Sequence, residues 1–454
     1  MDEVNSFQPT TAKDALASLP SPPLSSNRLL PGDEPVHDWY RFVLSFPPHL
    51  VRHYLTKFGL TPGSTVLDPF CGTGTTLVEC AKLGISSVGV ESNPVAAFAS
   101  DVKTDWSLDS SGLVRHAEGI ARRVMGSLRD AGIPDDRESP LFSAASMEPH
   151  GLRALPPQET KLLLRESISP LPLHKCLVLK DAIDRARTKD FTRHELLALA
   201  KTAVDCSNLR FGPEVGLGHR REDAPVVEHW LRAVRTMAVD LDGLGPLPQS
   251  ECRIYEADAR CMDELTDCPQ VDAVFTSPPY PNEKDYTRTT RLESVLLGFV
   301  HSGAEMRAVK RRLVSSNTRC THKSDDDDRY VEGVAEIDDI ARRIEERRLA
   351  LGKDSGFEKL YARVARLYFG GMARHLKSLQ RLLKPGATLA YVVGDQASFL
   401  RVMIRTGQLL VLIAERLGYE RIGIDLFRTR MATATKAQLR EEVVLLRWPG
   451  RRTT

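Results

Sequence analysis

The chain has 454 residues, enough for a full core with a second domain or large insertions. Its 42% apolar and 27% charged residues are those of an ordinary folded protein, and a net charge of +2 excludes a wholly basic coat, leaving nucleic-acid affinity to local patches. Eight cysteines without a C-x-x-C pair argue against structural zinc and for a reducing compartment, and no apolar run reaches the ~18 residues that span a bilayer.

Residues 1–35 open with two acids, are rich in Pro and Ser and have no apolar signal core. They read as a disordered leader on a cytoplasmic protein. Folding is expected from Val36, with a helix over HLVRHYLTKFGL that stops at Gly59. Thr65–Asp68 follows as a strand, Cys71-Gly72-Thr73-Gly74 as a tight turn, and a helix from Thr75. Such a corner offers free backbone N–H groups and the positive end of a helix dipole to a small ligand. Ser87–Glu91 is the second strand, and Asn93-Pro94 opens a short helix over Val95–Ala99.

After Asp105 the alternation lapses until about residue 250, far beyond a normal connection. Helical patterns at Leu113–Ala131, His194–Cys206 and Val226–Leu244, with proline-broken pieces around Pro140–Pro172, make residues 106–250 an inserted helical region. It separates a first catalytic part, 36–105, from a second, 251–454. Arg253–Asp258 and Val271–Thr276 restore the strand rhythm. The latter runs into Ser277-Pro278-Pro279-Tyr280, whose prolines must end the strand. A charged excursion over 281–370 carries helical stretches at Arg288–Phe299, Ala304–Leu313 and Ile337–Leu351. Its acidic run Asp325–Asp328 lacks metal-ligand spacing and reads as a solvated loop. A helix over Arg363–Leu383 stops at Lys384-Pro385-Gly386. Thr388–Val393 is a strand, Gly407–Leu417 a helix, and Arg421–Phe427 and Glu442–Leu446 close the chain as a strand pair. Strands alternating with helices imply an α/β fold: a mostly parallel sheet covered on both faces, with an antiparallel C-terminal edge.

Gly72 and Gly74 do not complete a G-x-G-x-x-G string, because Leu77 holds the third glycine's place. Asp68, ending the first strand, can accept from an amino or cationic group above the loop. Glu91, ending the second, lies where an acid grips ribose hydroxyls, and Asp258 could accept from an adenine amino group. The Ser277–Tyr280 loop suits a different task. An exocyclic base amine is a poor nucleophile because its lone pair is delocalised into the ring. Acceptors at the Ser277 hydroxyl and the Pro278 carbonyl, held still by two prolines, favour a pyramidal nitrogen, and Tyr280 offers a face for the base.

DPFCGTGTT paired with TSPPY resembles the amino-group DNA methyltransferases, and FPPHLVRHYL resembles the segment that family places before its glycine loop. The resemblance implies a Rossmann-like class I methyltransferase sheet with S-adenosylmethionine as cofactor. It implies that Phe46 and Pro47 contact the cofactor, that Asp68, Gly72 and Gly74 cradle its methionine part with Pro69, Phe70 and Thr75 alongside, and that Glu91 holds the ribose and Asp258 the adenine. Ser277, Pro278, Pro279 and Tyr280 would form the catalytic loop, with no metal. Serine in first position is similar to the N4-cytosine subgroup. The substrate implied is double-stranded DNA with its target base flipped out, with residues 106–250 as the candidate recognition region and a cognate restriction endonuclease as partner. Adenine-N6 methylation, guanine-N2 methylation of RNA and a silent DNA-binding subunit of this fold are the alternatives.

Smaller features follow. Arg288 and Arg291 could hold phosphates of an extruded nucleotide, Lys310-Arg311-Arg312 forms a second basic cluster, and Arg210 with Phe211 could reach a base. Asp395 would shape the pocket, and Cys71 would serve packing rather than nucleophilic attack.

Overall fold

The computed structural model describes residues 24–42, 45–133, 135, 151–212, 215–245, 250–282, 284–431 and 438–450. One sheet holds β1 (Thr65–Asp68), β2 (Ser86–Glu91), β3 (Cys252–Glu256), β4 (Val271–Thr276), β5 (Leu383–Gly394), β6 (Glu420–Met431) and β7 (Gln438–Arg447). Its order is β3-β2-β1-β4-β5-β7-β6, parallel from β3 through β5, with β7 antiparallel to both neighbours. This is the expected mostly parallel sheet with an antiparallel edge. The last strand lies inside that edge because Val443, Val444, Leu445 and Leu446 are all buried and need cover on both faces. β6 is exposed along most of its length and takes the rim.

The helices of eight residues or more are α1 (Pro48–Lys57), α2 (Thr75–Lys82), α3 (Pro94–Lys103), α4 (Ser110–Asp130), α5 (Pro170–Arg185), α6 (Thr192–Asp205), α7 (Val226–Leu244), α8 (Gly303–Arg311), α9 (Ala335–Ala350), α10 (Tyr361–Leu379) and α11 (Thr406–Arg416). Alternate strand residues serve opposite faces. Val66, Phe275, Ala390, Val392 and Val443 pack with Leu50, Val51 and Tyr54 of α1. Leu67, Val274, Leu389, Tyr391 and Val444 pack with α9, α10 and α11. A third cluster joins α4 to α7 with Trp39 and Tyr40, with Val78 of α2 and with Val95 and Ala99 of α3. The helical excursion therefore shares its core with the first half of the sheet's cover.

Several elements depart from the sequence reading for local reasons. α5 starts at the end of the stretch expected as broken pieces and runs on to Arg185, where no element was expected; Pro170 and Pro172 sit in its first turn, where backbone N–H groups have no helical partner anyway. α3 runs to Lys103 and is capped by Asn93 Oδ1, which accepts from Val95 N at 3.1 Å. The helix expected over Arg288–Phe299 is split at Thr290 into Tyr286–Thr289 and Arg291–Leu296. β5 begins at Leu383, which pairs with Val271, and a register shift absorbs Pro385-Gly386. Order also precedes Val36: Asp33 is buried and paired with Arg52 at 2.8 Å, a contact no apolar pattern announces. Residues 1–23 of the expected leader lie outside the described residues.

The acidic run is not wholly solvated. Asp327 is buried and meets Arg260 at 2.6 Å and Arg374 at 3.2 Å. It lies so close to α10 that a Cβ on Gly370 would stand 1.9 Å from the Asp327 carbonyl oxygen. A helix glycine lets the segment lie directly on the helix.

Candidate active site

The strand order reverses between β1 and β4, and ligands of open α/β sheets bind outside the carboxyl ends of the strands at such a point. A cleft of about 940 Å³ opens there. Its floor is the glycine loop on one side and the Ser277–Tyr280 loop on the other.

Beneath the floor, Asp68 ties the two strand ends together. Its Oδ1 accepts from Thr276 Oγ1 at 2.6 Å and from Phe70 N at 3.1 Å, and its Oδ2 accepts from Thr76 Oγ1 at 2.6 Å. Burial pushes this carboxyl up to about 6 while those donors oppose the rise. Asp68 is fully buried and does not line the cleft. It holds the loop rather than facing a ligand.

The loop itself needs its glycines for different reasons. Gly72 adopts φ +53° and Gly74 φ +83°, both left-handed, and Gly74 opens α2. A Cβ on Gly74 would also meet Ser100 at 3.1 Å. Gly72 N donates to Glu91 Oε2 at 3.0 Å and Asn93 N to Glu91 Oε1 at 2.7 Å, so the second strand's acid fastens the loop from beside it. Glu91 lines the cleft, and burial raises its carboxyl to about 7. Leu77 is buried over Gly89 of β2, where a Cβ would meet Leu77 Cδ1 at 2.7 Å. The close helix–strand approach that a third loop glycine allows elsewhere is provided here by a glycine on the strand. Cys71 is buried with its thiol pushed well up by desolvation, a packing position.

On the other side, Ser277 Oγ donates to Val392 O at 3.0 Å. Its single proton is thus committed to the sheet, and its lone pairs remain to accept from a ligand. Pro278, Pro279 and Tyr280 line the cleft with it. The Tyr280 ring lies on Gly394 at the end of β5, where a Cβ would come within 3.0 Å of Tyr280 Cε2. Phe46 lines the cleft and packs edge-on against Phe275, centroids 5.3 Å apart, while Pro47 is buried at the start of α1.

Pro69, Phe70, Gly72, Thr75 and Glu91 reach the cleft with Phe46 and the Ser277–Tyr280 loop; Pro47, Asp68, Gly74 and Asp258 do not. Asp258 is gripped by its neighbour, accepting from Arg260 Nη2 at 2.7 Å and Nε at 3.0 Å, and Ala259 lines the wall in its place. Arg288 and Phe211 line the cleft, whereas Arg291 turns to Thr287 at 3.1 Å. Lys310 binds Asp285 at 2.8 Å, and Arg312 reaches both the cleft and Glu256. Asp395 is buried against Arg405, and Gln396 is the cleft residue beside it.

Sequence reasoning missed the outer wall. Tyr40, Arg41 and Phe42 cross above the glycine loop, Lys201 enters from α6, Arg319 from the second excursion, and Arg428 and Arg430 from β6. Glu293 was missed as well. It is buried, donated to by Tyr40 Oη at 2.5 Å, and raised to about 7 by burial. Its only signal was an acid set among Leu292, Val295 and Leu296. Among the described residues no cluster of His, Cys, Asp and Glu could hold a metal ion, and no helix is long and apolar enough to cross a membrane.

Residues 24–99 match the model of the DNA methylase family (N6_N4_Mtase). The chain is 24% identical to the type II methyltransferase M.BsoBI of Geobacillus stearothermophilus, over 89% of this chain and 82% of that one. It is likewise 24% identical to the type II methyltransferase M.AvaI of a Nostoc species, over 85% and 79% of the two chains. A 68-residue stretch is 37% identical to the type II methyltransferase M.MjaII of Methanocaldococcus jannaschii, covering 15% of this chain and 13% of that one. Among solved structures, TrmN of Thermus thermophilus aligns over 88% of this chain and 48% of its own with a TM-score of 0.26 and 12% identity. The rRNA methyltransferase aviRa of Streptomyces viridochromogenes aligns over 90% of both chains with a TM-score of 0.29 and 11% identity. The glycine-loop region thus carries the DNA methylase match, and along most of its length the chain is similar to type II DNA methyltransferases, enzymes whose methyl donor is S-adenosylmethionine.

Proposed function

We propose that the protein methylates the exocyclic N4 amine of cytosine in double-stranded DNA, with the target base flipped into the cleft. The observation that carries this reading is Ser277, whose hydroxyl donates to Val392 O at 3.0 Å and so can only accept from a base amine. Two acceptors, that hydroxyl and the Pro278 carbonyl, would take both N–H groups of the amine and direct its lone pair across the cleft. Tyr280, packed against Gly394, would stack on the ring.

The residues present fit S-adenosylmethionine. The glycine loop is open above Gly72, where a Cβ would have only Phe42 at 4.0 Å, and Glu91 stands beside it as a hydroxyl acceptor. When bound, that cofactor supplies an electrophilic methyl group on a sulfonium. Proton loss from the amine can follow transfer, so no general base of tuned pKa is required. Arg288, Arg319 and Arg430 at the mouth would hold phosphates flanking the extruded nucleotide. Lys201 and Phe211 support a recognition role for residues 106–250, because they bring that excursion to the rim of the same cleft. A cognate endonuclease blocked by this modification is the expected partner.

DNA from an expressing host, digested to nucleosides and analysed by mass spectrometry, should contain N4-methylcytosine. N6-methyladenine in its place would overturn the cytosine assignment. Methylated RNA alone would overturn the DNA assignment, and no modified base despite cofactor binding would leave a silent subunit.

A further inference from the structure

We propose that Glu293 receives the α-ammonium group of the bound methyl donor, the task that strand-end logic gives to Asp68. The inference rests on the cofactor reading above and deepens it.

A buried carboxylate keeps a free oxygen only at a cost, unless a ligand supplies the missing donor. Asp68 has no such oxygen: both accept strong hydrogen bonds from within the protein, and it lies below the cleft floor. The acids that do line the cleft are Asp38, Glu91, Asp205, Asp285, Glu293 and Glu441. Asp38 and Asp205 are exposed. Glu91 is engaged at both oxygens by Gly72 N and Asn93 N. Asp285 is held by Lys310 and Thr287, and Glu441 by Arg428 and Arg430. Glu293 differs. It is 1% exposed, its Oε1 accepts from Tyr40 Oη, and its Oε2 has no partner among the described residues.

Its position selects the methionine end of the cofactor. Tyr40, which holds it, is fastened to the glycine loop through Lys103 Nζ, which donates to Tyr40 O at 3.2 Å and to Thr73 O at 2.8 Å. Thr290, one turn before Glu293, accepts from Asn93 Nδ2 at 2.9 Å, two residues beyond Glu91. The carboxylate is thus tied to the loop side of the cleft, whereas the base-facing hydroxyl of Ser277 is tied to β5. A cationic ammonium satisfies a buried acid with one free oxygen; a neutral base amine would leave its charge uncompensated. Burial raises this carboxyl to about 7 in the free protein, the state that an incoming cation reverses.

The test is calorimetric binding of S-adenosylhomocysteine and of its des-amino analogue to the wild type and to Glu293→Gln, whose side-chain carbonyl keeps an acceptor for Tyr40. The wild type should bind the des-amino analogue at least about tenfold more weakly than S-adenosylhomocysteine. The variant should lose a similar factor on S-adenosylhomocysteine and nothing further on the analogue. Equal wild-type affinity for the two ligands overturns the proposal, and that arm needs no variant to fold. A variant that binds S-adenosylhomocysteine normally, or that loses affinity equally for both ligands, also overturns it. A wild type that binds neither ligand would instead refute the cofactor reading itself.

Discussion

The absent third glycine of the loop leads to a sharp prediction about Gly89. Leu77 stands in that glycine's place and presses on β2, so an added methyl at Gly89 would lie 2.7 Å from Leu77 Cδ1, 2.9 Å from Cys71 Sγ and 3.1 Å from Ile254 Cδ1. Leu77 and Cys71 are buried and Ile254 is half-buried on β3, so the side-chain ends that meet the methyl can shift only by disturbing the packing of α2 and the loop on the sheet. Forcing an extra carbon into such a core costs about 1–3 kcal/mol, and the strand's gain on losing a glycine returns at most about 1 kcal/mol. Gly89→Ala should therefore destabilise by about 1–2 kcal/mol. Leu77→Ala alone should cost about 2–5 kcal/mol, as for other buried leucines. In the double variant the methyl occupies space that the leucine vacated, so the two costs should fall short of their sum by about 1 kcal/mol or more. Urea unfolding read as a midpoint shift at constant slope measures all four corners of the cycle. Because Cys71 precedes Gly72, the single Gly89→Ala variant should also weaken S-adenosylhomocysteine binding, and Leu77→Ala should restore part of it. A Gly89→Ala protein within about 0.5 kcal/mol of wild type, or strictly additive costs, would refute the account of Gly89 as the displaced glycine.

Ser277→Ala should lower methyl transfer by about tenfold to a hundredfold while leaving S-adenosylhomocysteine affinity unchanged, since that hydroxyl is tied to β5 rather than to the loop; single-turnover kinetics read this directly. Asp327→Ala removes the shared partner of Arg260 and Arg374, leaving Asp258 as the acid paired with Arg260, and should cost about 1–3 kcal/mol in denaturant unfolding, beyond what a solvated acidic loop could show. Asp240→Ala should loosen the segment over the loop and weaken cofactor binding: Asp240 Oδ2 accepts from Val36 N at 3.0 Å and Trp39 Nε1 at 2.7 Å and holds Val36 at φ +66°, a strained conformation for a branched residue. With its carboxyl raised to about 7 by burial, Glu293 contributes stability that is complete below its unfolded value near 4.5 and is lost as pH rises through 7. The wild type should therefore lose stability relative to Glu293→Gln between pH 4.5 and 7. Cofactor affinity should rise over pH 6–8 in the wild type and less steeply in the variant, the remaining slope belonging to Glu91, also near 7.

What the sequence disclosed and what it hid divide along chain separation. The floor of the cleft comes from short contiguous runs: apolar strands ending in Asp68 and Thr276, each followed by a turn whose Gly or Pro residues punctuate the pattern. Strand, turn and helix could be read there because each residue's role is met by neighbours a few positions away. Asp68 shows the limit of that reading. Its place at a strand end was legible, but its orientation was set by Thr276, 208 positions downstream, which takes Oδ1. Asp258 was likewise claimed by Arg260 and, through it, by Asp327. Periodicity carries no trace of such pairings, since they depend on which loops the fold lays side by side. Glu293 and Tyr40 were hidden for the same reason, separated by 253 positions.

The long excursions look like interruptions of a simple fold, yet the sheet explains where they are allowed. The first falls between β2 and β3, and among the described residues β3 pairs with β2 alone, at the rim, so the chain can wander through α4, α5, α6 and α7 without breaking any other ladder. The second leaves after β4 and returns through α10 to β5, again joining neighbours in the sheet. Each excursion comes back over the carboxyl ends of the strands, the first with Lys201 and Phe211, the second with Arg288, Glu293 and Arg319. Asp240 of α7 then binds the Val36–Trp39 segment that carries Tyr40 to Glu293. The first excursion thus positions the holder, and the second supplies the acid that is held. A cleft closed by two inserted regions, each needing the other, gives a physical reason why two of the relatives align along most of the chain and not only over the glycine loop.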